Sequence, residues 1–230
     1  MATQPAIARW HRCPELSITD AQVQAAAREF WGGRSGGTQA AKHDKPFLNL
    51  IADDLTSLGW SAHVAQAISD KNAIIGGHFR RAKSWDIVCR NTRGQPRICV
   101  EFKSQVDSYG NNENNRYEEA LGSGLDLRAK YGSLAVLGFL LVICDEPKTR
   151  AVTRARLPDI DPRFENSSHI ERRIVFAERI VNYKLNGDSL YNAAALLLLS
   201  RDGTVQHPEN PALRIFSFAT QLAEAAGPRD

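Results

Sequence analysis

A chain of 230 residues, 43% of them hydrophobic, is long enough for one domain with a substantial core, and residues 1–230 read as a single unit. A net charge of +3 and a pI near 8.7 permit nucleic acid as a partner without requiring it. The longest apolar run, Leu134–Cys144, falls short of the ~20 residues a spanning helix needs, and the N-terminus shows no apolar signal-peptide core, so a soluble, cytoplasmic protein without a membrane partner is expected. Cys13, Cys89, Cys99 and Cys144 form no C-x-x-C pair, which favours small buried hydrophobes over a zinc site or a disulfide framework.

In chain order, Thr19 with Gln22 three residues on has the form of a capping box, and a helix to about Phe30 follows. Trp31–Thr38, WGGRSGGT, reads as a flexible loop; it lacks the G-x-x-x-x-G-K-S/T spacing of a phosphate cradle. Lys45–Leu58 predicts an amphipathic helix. Pro46 suits its first turn, Phe47, Leu48, Ile51, Leu55 and Leu58 share a face, and Gly59 ends it. Asp53 and Asp54 fall off that face, with Asp54 a possible auxiliary to a metal site. His63–Ile68 reads as a short strand. Ile74–Lys83 is a glycine-containing turn whose Arg80, Arg81 and Lys83 are suited to neutralising phosphates.

Ser84–Lys103 predicts a hairpin: Trp85–Cys89, a polar turn with Gly94 and Pro96, and a return run Ile98–Lys103. The Asn-rich stretch after it favours turn over helix or strand. Tyr117–Tyr131 predicts a helix, with Glu118 and Glu119 near its start. Leu134–Ile143 predicts a central strand covered on both faces. Lys148–Asp161 is a connection, and Asn166–Lys184 and the very apolar Asp188–Ser200 read as helices. After a turn at Gln206–Pro211, a last helical or mixed segment ends near Ala226. The fold class is therefore α/β: a central mixed sheet flanked by helices, a catalytic core over about 45–145 and a helical C-terminal third over about 165–226.

The chemistry concentrates on the hairpin. Side chains alternate along a strand, so Glu101 and Lys103 share one face while Phe102 enters the core. Asp86, opposed to its apolar neighbours on the first strand, can meet them there. Two carboxylates and the Phe102 carbonyl suit Mg²⁺, which polarises a phosphate oxygen, and Lys103 can hold or help deprotonate the attacking water and offset developing charge. The basic turn before the hairpin and the polar loop after it supply DNA contacts: Gln105, Asn111, Asn112, Asn114, Asn115 and Arg116 can bond base edges. Glu118 is a further auxiliary candidate. His11, His43, His63, His78, His169 and His207 lack metal-ligand spacing, and no G-x-S-x-G is present.

Gly77–Arg90, GHFRRAKSWDIVCR, together with Val100–Asp126, VEFKSQVDSYGNNENNRYEEALGSGLD, closely resembles the XhoI-type type II restriction endonucleases. The likeness covers about residues 75–145 and is weaker over the helix at 45–60. It implies a PD-(D/E)XK fold and Mg²⁺-dependent cleavage of double-stranded DNA within a short palindrome. It also implies a homodimer matched to that symmetry and a cognate DNA methyltransferase as genetic partner. On this sequence Asp86 takes the place of the motif's first acid, with Trp85 where the motif name has proline, and Glu101 and Lys103 take the E-x-K places. CTCGAG is the family's best-known target. Here the loop Gln105–Gly110, and Glu113 between the two Asn pairs, depart from the family pattern. Alternatives are a nuclease of the same fold serving repair, phage defence or modified DNA, and a catalytically silent DNA-binding module.

Overall fold

A computed structural model of the chain describes residues 18–34, 43–106, 109–144, 157–200 and 202–228, with the backbone alone at 34 and 109–112. The first helix, α1 (Asp20–Arg34), starts on the expected box: the Thr19 amide donates to Gln22 Oε1 at 2.8 Å, and the Gln22 amide to Thr19 Oγ1 at 3.4 Å. It runs beyond Phe30, so the loop expected from Trp31 is helical through Arg34. The Trp31 indole donates to the Ser200 carbonyl at 3.0 Å, and at Gly33 an added Cβ would lie 2.6 Å from His43 Nδ1. Tertiary contacts thus hold a Gly-Gly pair in a helix that its propensity disfavours. The rest of that expected loop, 35–38, lies outside the described residues, as do Cys13 and most of the 148–161 connection.

Next come α2 (Lys45–Ser57), β1 (Ala62–Val64), a small ribbon of β2 (Ile74–Ile75) and β3 (Lys83–Ser84), then β4 (Ile87–Arg90) and β5 (Pro96–Gln105). Gly94, at φ 76°, turns the hairpin between the last two strands. A 23-residue helix, α3 (Tyr109–Tyr131), leads to β6 (Val136–Cys144), and α4 (His169–Asn182) follows, with Ser168 and Glu171 forming a complete capping box. The chain closes with a second ribbon, β7 (Lys184–Leu185) and β8 (Asp188–Ser189), then β9 (Ala193–Leu199), β10 (Val205–Gln206) and α5 (Phe218–Ala226). Among the described residues no helix is long and apolar enough to cross a membrane.

Six strands form one mixed sheet in the order β1-β4-β5-β6-β9-β10; β5, β6 and β9 are parallel and the other neighbours antiparallel. Ile98, Val100 and Phe102 belong to the core under α1, α2 and α5. Cys99 belongs to the opposite core, beneath α3 and α4. By the same alternation Glu101 and Lys103 project toward α3. Gly138 lets α5 approach closely: a Cβ there would lie 2.6 Å from Phe218 Cζ.

Three expectations are corrected. The Asn-rich stretch is not a loop; it is the first part of α3. Residues 188–200 are not a helix: they hold β8 and β9, and β9 fills the slot beside β6 with both faces buried. The C-terminal third is accordingly mixed rather than helical throughout: beside α4 and α5 it supplies two strands of the central sheet. The Ala/Leu run of β9 has good intrinsic helix propensity, but a seven-residue stretch buried on both sides is decided by what it packs against.

Candidate active site

Glu101 lies near the C-terminal end of β5 and is completely buried. Its Oε1 accepts from Lys83 Nζ at 2.9 Å and from Lys103 Nζ at 3.1 Å. Its Oε2 is 3.3 Å from the Tyr191 hydroxyl, which also lies 2.9 Å from the Ala120 carbonyl; with one proton to give, that hydroxyl serves one acceptor at a time. Lys103 reaches a second acid, Glu119 Oε2 at 3.2 Å, itself held by Arg116 at 2.9 Å. Burial opposes the charge on Lys103, but Glu101 and then Glu119 outweigh it and raise its pKa, so Lys103 is an ammonium at neutral pH.

Asp86 immediately precedes β4. Its amide donates to the Val100 carbonyl at 3.0 Å, and its Oδ2 accepts from the Phe102 amide at 2.7 Å, so the two strands clasp it beside Glu101. Phe102 itself sends its ring the other way, stacked 6.3 Å from Phe47. Asp86 is thereby tied to the backbone between Glu101 and Lys103, and its carboxyl feels the charges of both side chains. Burial pushes the Asp86 carboxyl above its ordinary range. The Phe102 amide and the two lysines pull it back only in part, and Glu101 adds to the rise.

A group whose folded value is raised costs stability once pH climbs past its ordinary value of 3.8, and the cost is complete above the folded value. Asn at this position keeps an acceptor for the Phe102 amide and carries no charge. Without divalent cations, Asp86→Asn should melt a few degrees above wild type at neutral pH. The gap should shrink in acid as the wild-type carboxyl protonates, and melting curves across pH check both statements.

The donor chemistry fits a hard divalent cation. Mg²⁺ takes one or two carboxylates and keeps several waters. Asp86 and Glu101 supply two carboxylates on one face, and the disfavoured ionisation of Asp86 marks a place where added positive charge is stabilising. Among the described residues no group of three or more His, Cys, Asp or Glu assembles as a metal cluster.

The remaining candidates fall in different places. Lys83, expected on phosphate, is turned inward onto Glu101, with its ammonium 5.3 Å over the Trp85 ring. Arg80 and Arg81 are exposed on the loop between β2 and β3. Asn114 and Asn115 are exposed on α3, and Arg116 is half-buried beside Glu119; the side chains of Asn111 and Asn112 lie outside the described residues. Gln105, expected on base edges, is instead buried, and its amide oxygen accepts from Arg173. Glu118 points to solvent, and it is Glu119 that reaches Lys103, because the helix brings Ala120 inward and Glu119 alongside the strand. Asp54, expected off the apolar face as an auxiliary to a metal site, is not on an open face. It is buried on α2, its carboxyl raised by that burial against a smaller opposing effect of Ser57, and among the described residues no ion pair or hydrogen bond joins it to Asp86, Glu101 or Lys103.

Two further residues were not among the site candidates. Tyr191 stands 90 positions from Glu101; it packs against Gly124, where a Cβ would come within 2.8 Å of its ring. Glu113 is bonded by Arg172 Nε at 2.8 Å, His169 Nδ1 at 2.7 Å and the Tyr117 hydroxyl at 2.8 Å, which fastens the start of α3 to α4. The departure at Glu113 was visible in the sequence; its partners on α4, some sixty residues away, were not.

Three relatives share this sequence over most of its length, and all are type II restriction enzymes. BstVI of Geobacillus stearothermophilus is 30% identical over 208 residues, 83% of this chain and 89% of its own. AbrI of Azospirillum brasilense is 31% identical over 179 residues, 66% of this chain and 77% of its own, and XhoI of Xanthomonas vasicola is 26% identical over 193 residues, 73% and 77% respectively. The class is that of the site-specific DNA endonucleases. The family model described as Restriction endonuclease XhoI matches residues 22–207, and the chain belongs to that family. No solved structure gives a significant match.

Proposed function

We propose that this protein hydrolyses phosphodiester bonds of double-stranded DNA at a short palindrome, with Asp86, Glu101 and Lys103 as the reaction centre of a PD-(D/E)XK nuclease. The observation that supports this reading is that the β4–β5 hairpin clasps Asp86 through the Phe102 amide, between Glu101 and the Lys103 that bonds it. Asp86 and Glu101, with the Phe102 carbonyl, are the ligands assigned to Mg²⁺; when bound, the ion supplies Lewis-acid polarisation of a phosphate oxygen. Lys103, kept protonated by Glu101 and Glu119, orients the attacking water by hydrogen bonding and offsets negative charge as it grows on the phosphate. It is an electrostatic and positioning group rather than a base.

Arg80 and Arg81 are assigned to phosphates, and Asn114 and Asn115, with Arg116, to the bases. A palindromic target calls for a homodimer, and a chain that cuts DNA in the cytoplasm calls for a methyltransferase that masks the host's own sites. The target assigned by family likeness is CTCGAG-like. Digestion of unmodified and cytosine-methylated plasmid DNA with and without Mg²⁺, followed by sequencing of the ends, tests the proposal. Discrete fragments with a common end sequence are expected. A smear points to a nuclease of loose preference, and binding without cutting points to a silent module; either result removes the restriction reading.

A further inference from the structure

Phe79 is 75% exposed, an unusual state for an aromatic ring, and it sits at the tip of the loop that joins β2 to β3. That loop is built around a carboxylate. Asp126 on α3 is buried, and its Oδ1 accepts from three consecutive amides: His78 at 2.8 Å, Phe79 at 2.6 Å and Arg80 at 3.4 Å. Its Oδ2 takes the Arg80 Nε at 3.0 Å. Gly77 admits this clasp, since a Cβ there would lie 2.1 Å from Asp126 Oδ2 and 2.7 Å from the Arg80 carbonyl. The His78 ring braces Phe79 edge-on at 4.6 Å. Phe79 lies four positions before Lys83, which bonds Glu101, so the loop that carries the ring runs on into the candidate reaction centre.

Around it are exposed cations: Arg80 and Arg81 in the same loop, and Lys130, whose Nζ lies near Gly76. An apolar ring on a buried clasp, in a loop that also carries exposed cations, is complementary to a polyanion with stacked aromatic faces.

We infer that Phe79 is a specificity-determining wedge that stacks on a base step of duplex DNA when the enzyme engages its site. The inference rests on the nuclease reading above. The arginines would anchor the flanking phosphates while the ring enters the stack, so the clasp holds the ring in its bound geometry before the duplex arrives. Steps that unstack readily, such as pyrimidine–purine steps, would be favoured at that position.

The test uses the full chain in EDTA with a short duplex carrying the sequence that the wild type cuts, or a mixed-sequence duplex if it cuts none. 2-Aminopurine replaces each purine in turn. The wild type should change the fluorescence at one base step. Phe79→Ala should abolish that change and weaken binding by about tenfold or more, the scale of base–aromatic stacking. Phe79→Trp should keep both. Because the ring is exposed, neither substitution should lower the melting temperature. An alanine variant that binds and unstacks like wild type overturns the proposal. So does sedimentation showing that Phe79→Ala converts a dimer to monomers, which would assign the ring to a second copy of this chain. A wild type that cuts nothing yet binds DNA sinks the nuclease reading alone, and the binding comparison still decides for Phe79. A wild type that binds no duplex overturns both.

Discussion

Lys103→Ala is expected to slow DNA cleavage about a thousandfold while duplex affinity stays within a few-fold of wild type. The ammonium bonds two carboxylates, Glu101 at 3.1 Å and Glu119 at 3.2 Å, and those bonds fix its position before any substrate arrives. Its pKa is raised, so the loss on substitution is of a charge in place at neutral pH, and adding base should not restore the rate. Lys103→Arg keeps the charge on a larger, planar head and should restore only a small part of the activity. Single-turnover cleavage with Mg²⁺ and anisotropy in EDTA separate chemistry from binding. Cleavage by Lys103→Ala at the wild-type rate would remove residue 103 from the reaction centre. Glu119→Gln provides the inner control: it loosens Lys103 without touching the hairpin, and should cost far less than removing the lysine.

Glu113→Ala should destabilise the fold by about 3 kcal/mol, the scale for stripping one partner from a buried ion pair. Arg172 and His169 would lose their acid. Arg173, fully buried and stacked 4.4 Å over Tyr117, would lose a neighbouring negative charge. A loss of that size lowers the melting temperature of a chain this long by roughly 6–12 °C. Glu113→Gln keeps two acceptor positions and should lose less.

Burial alone would raise the Glu113 pKa, but the bonds from Arg172 and Tyr117, with the charges of Arg172 and His169, lower it overall. A lowered folded value means the stabilisation is fully present above the ordinary value of 4.5 and is lost as pH falls through the folded one. The difference in melting temperature between Glu113→Gln and wild type should therefore be constant at neutral pH and narrow in acid. Equal melting temperatures at neutral pH would show that α3 is held by other contacts.

The hairpin was legible in the sequence because its information is local. Alternation put Glu101 and Lys103 on one side and Phe102 on the other, and Gly94 marked the turn. The buried strand β6 was equally plain, since a nine-residue apolar run too short for a membrane has few other destinations. Legibility failed where distant partners decide. The Asn residues before Tyr117 favour turns by themselves, yet Glu113 ties that segment to Arg172 on α4, and it is helical. Residues 193–199 would suit a helix in isolation, and β6 converts them to a strand. Lys83 looked like a phosphate ligand because nothing near it in sequence announces that the β2–β3 ribbon turns it onto Glu101. Gln105 looked like a base reader because Arg173 lies 68 residues away.

The Tyr191 hydroxyl makes the enclosure of Glu101 depend on chain made long after it. The proposed reaction centre is translated by position 103, but the roof over Glu101 belongs to the segment entering β9. A nascent chain that ends short of that segment has its hairpin and both lysines, and leaves the carboxylate open to water. Closing so long a loop is slow compared with forming the hairpin. Enclosure of Glu101 is thereby deferred until residue 191 has been made and has docked, which separates possession of the acid from its burial.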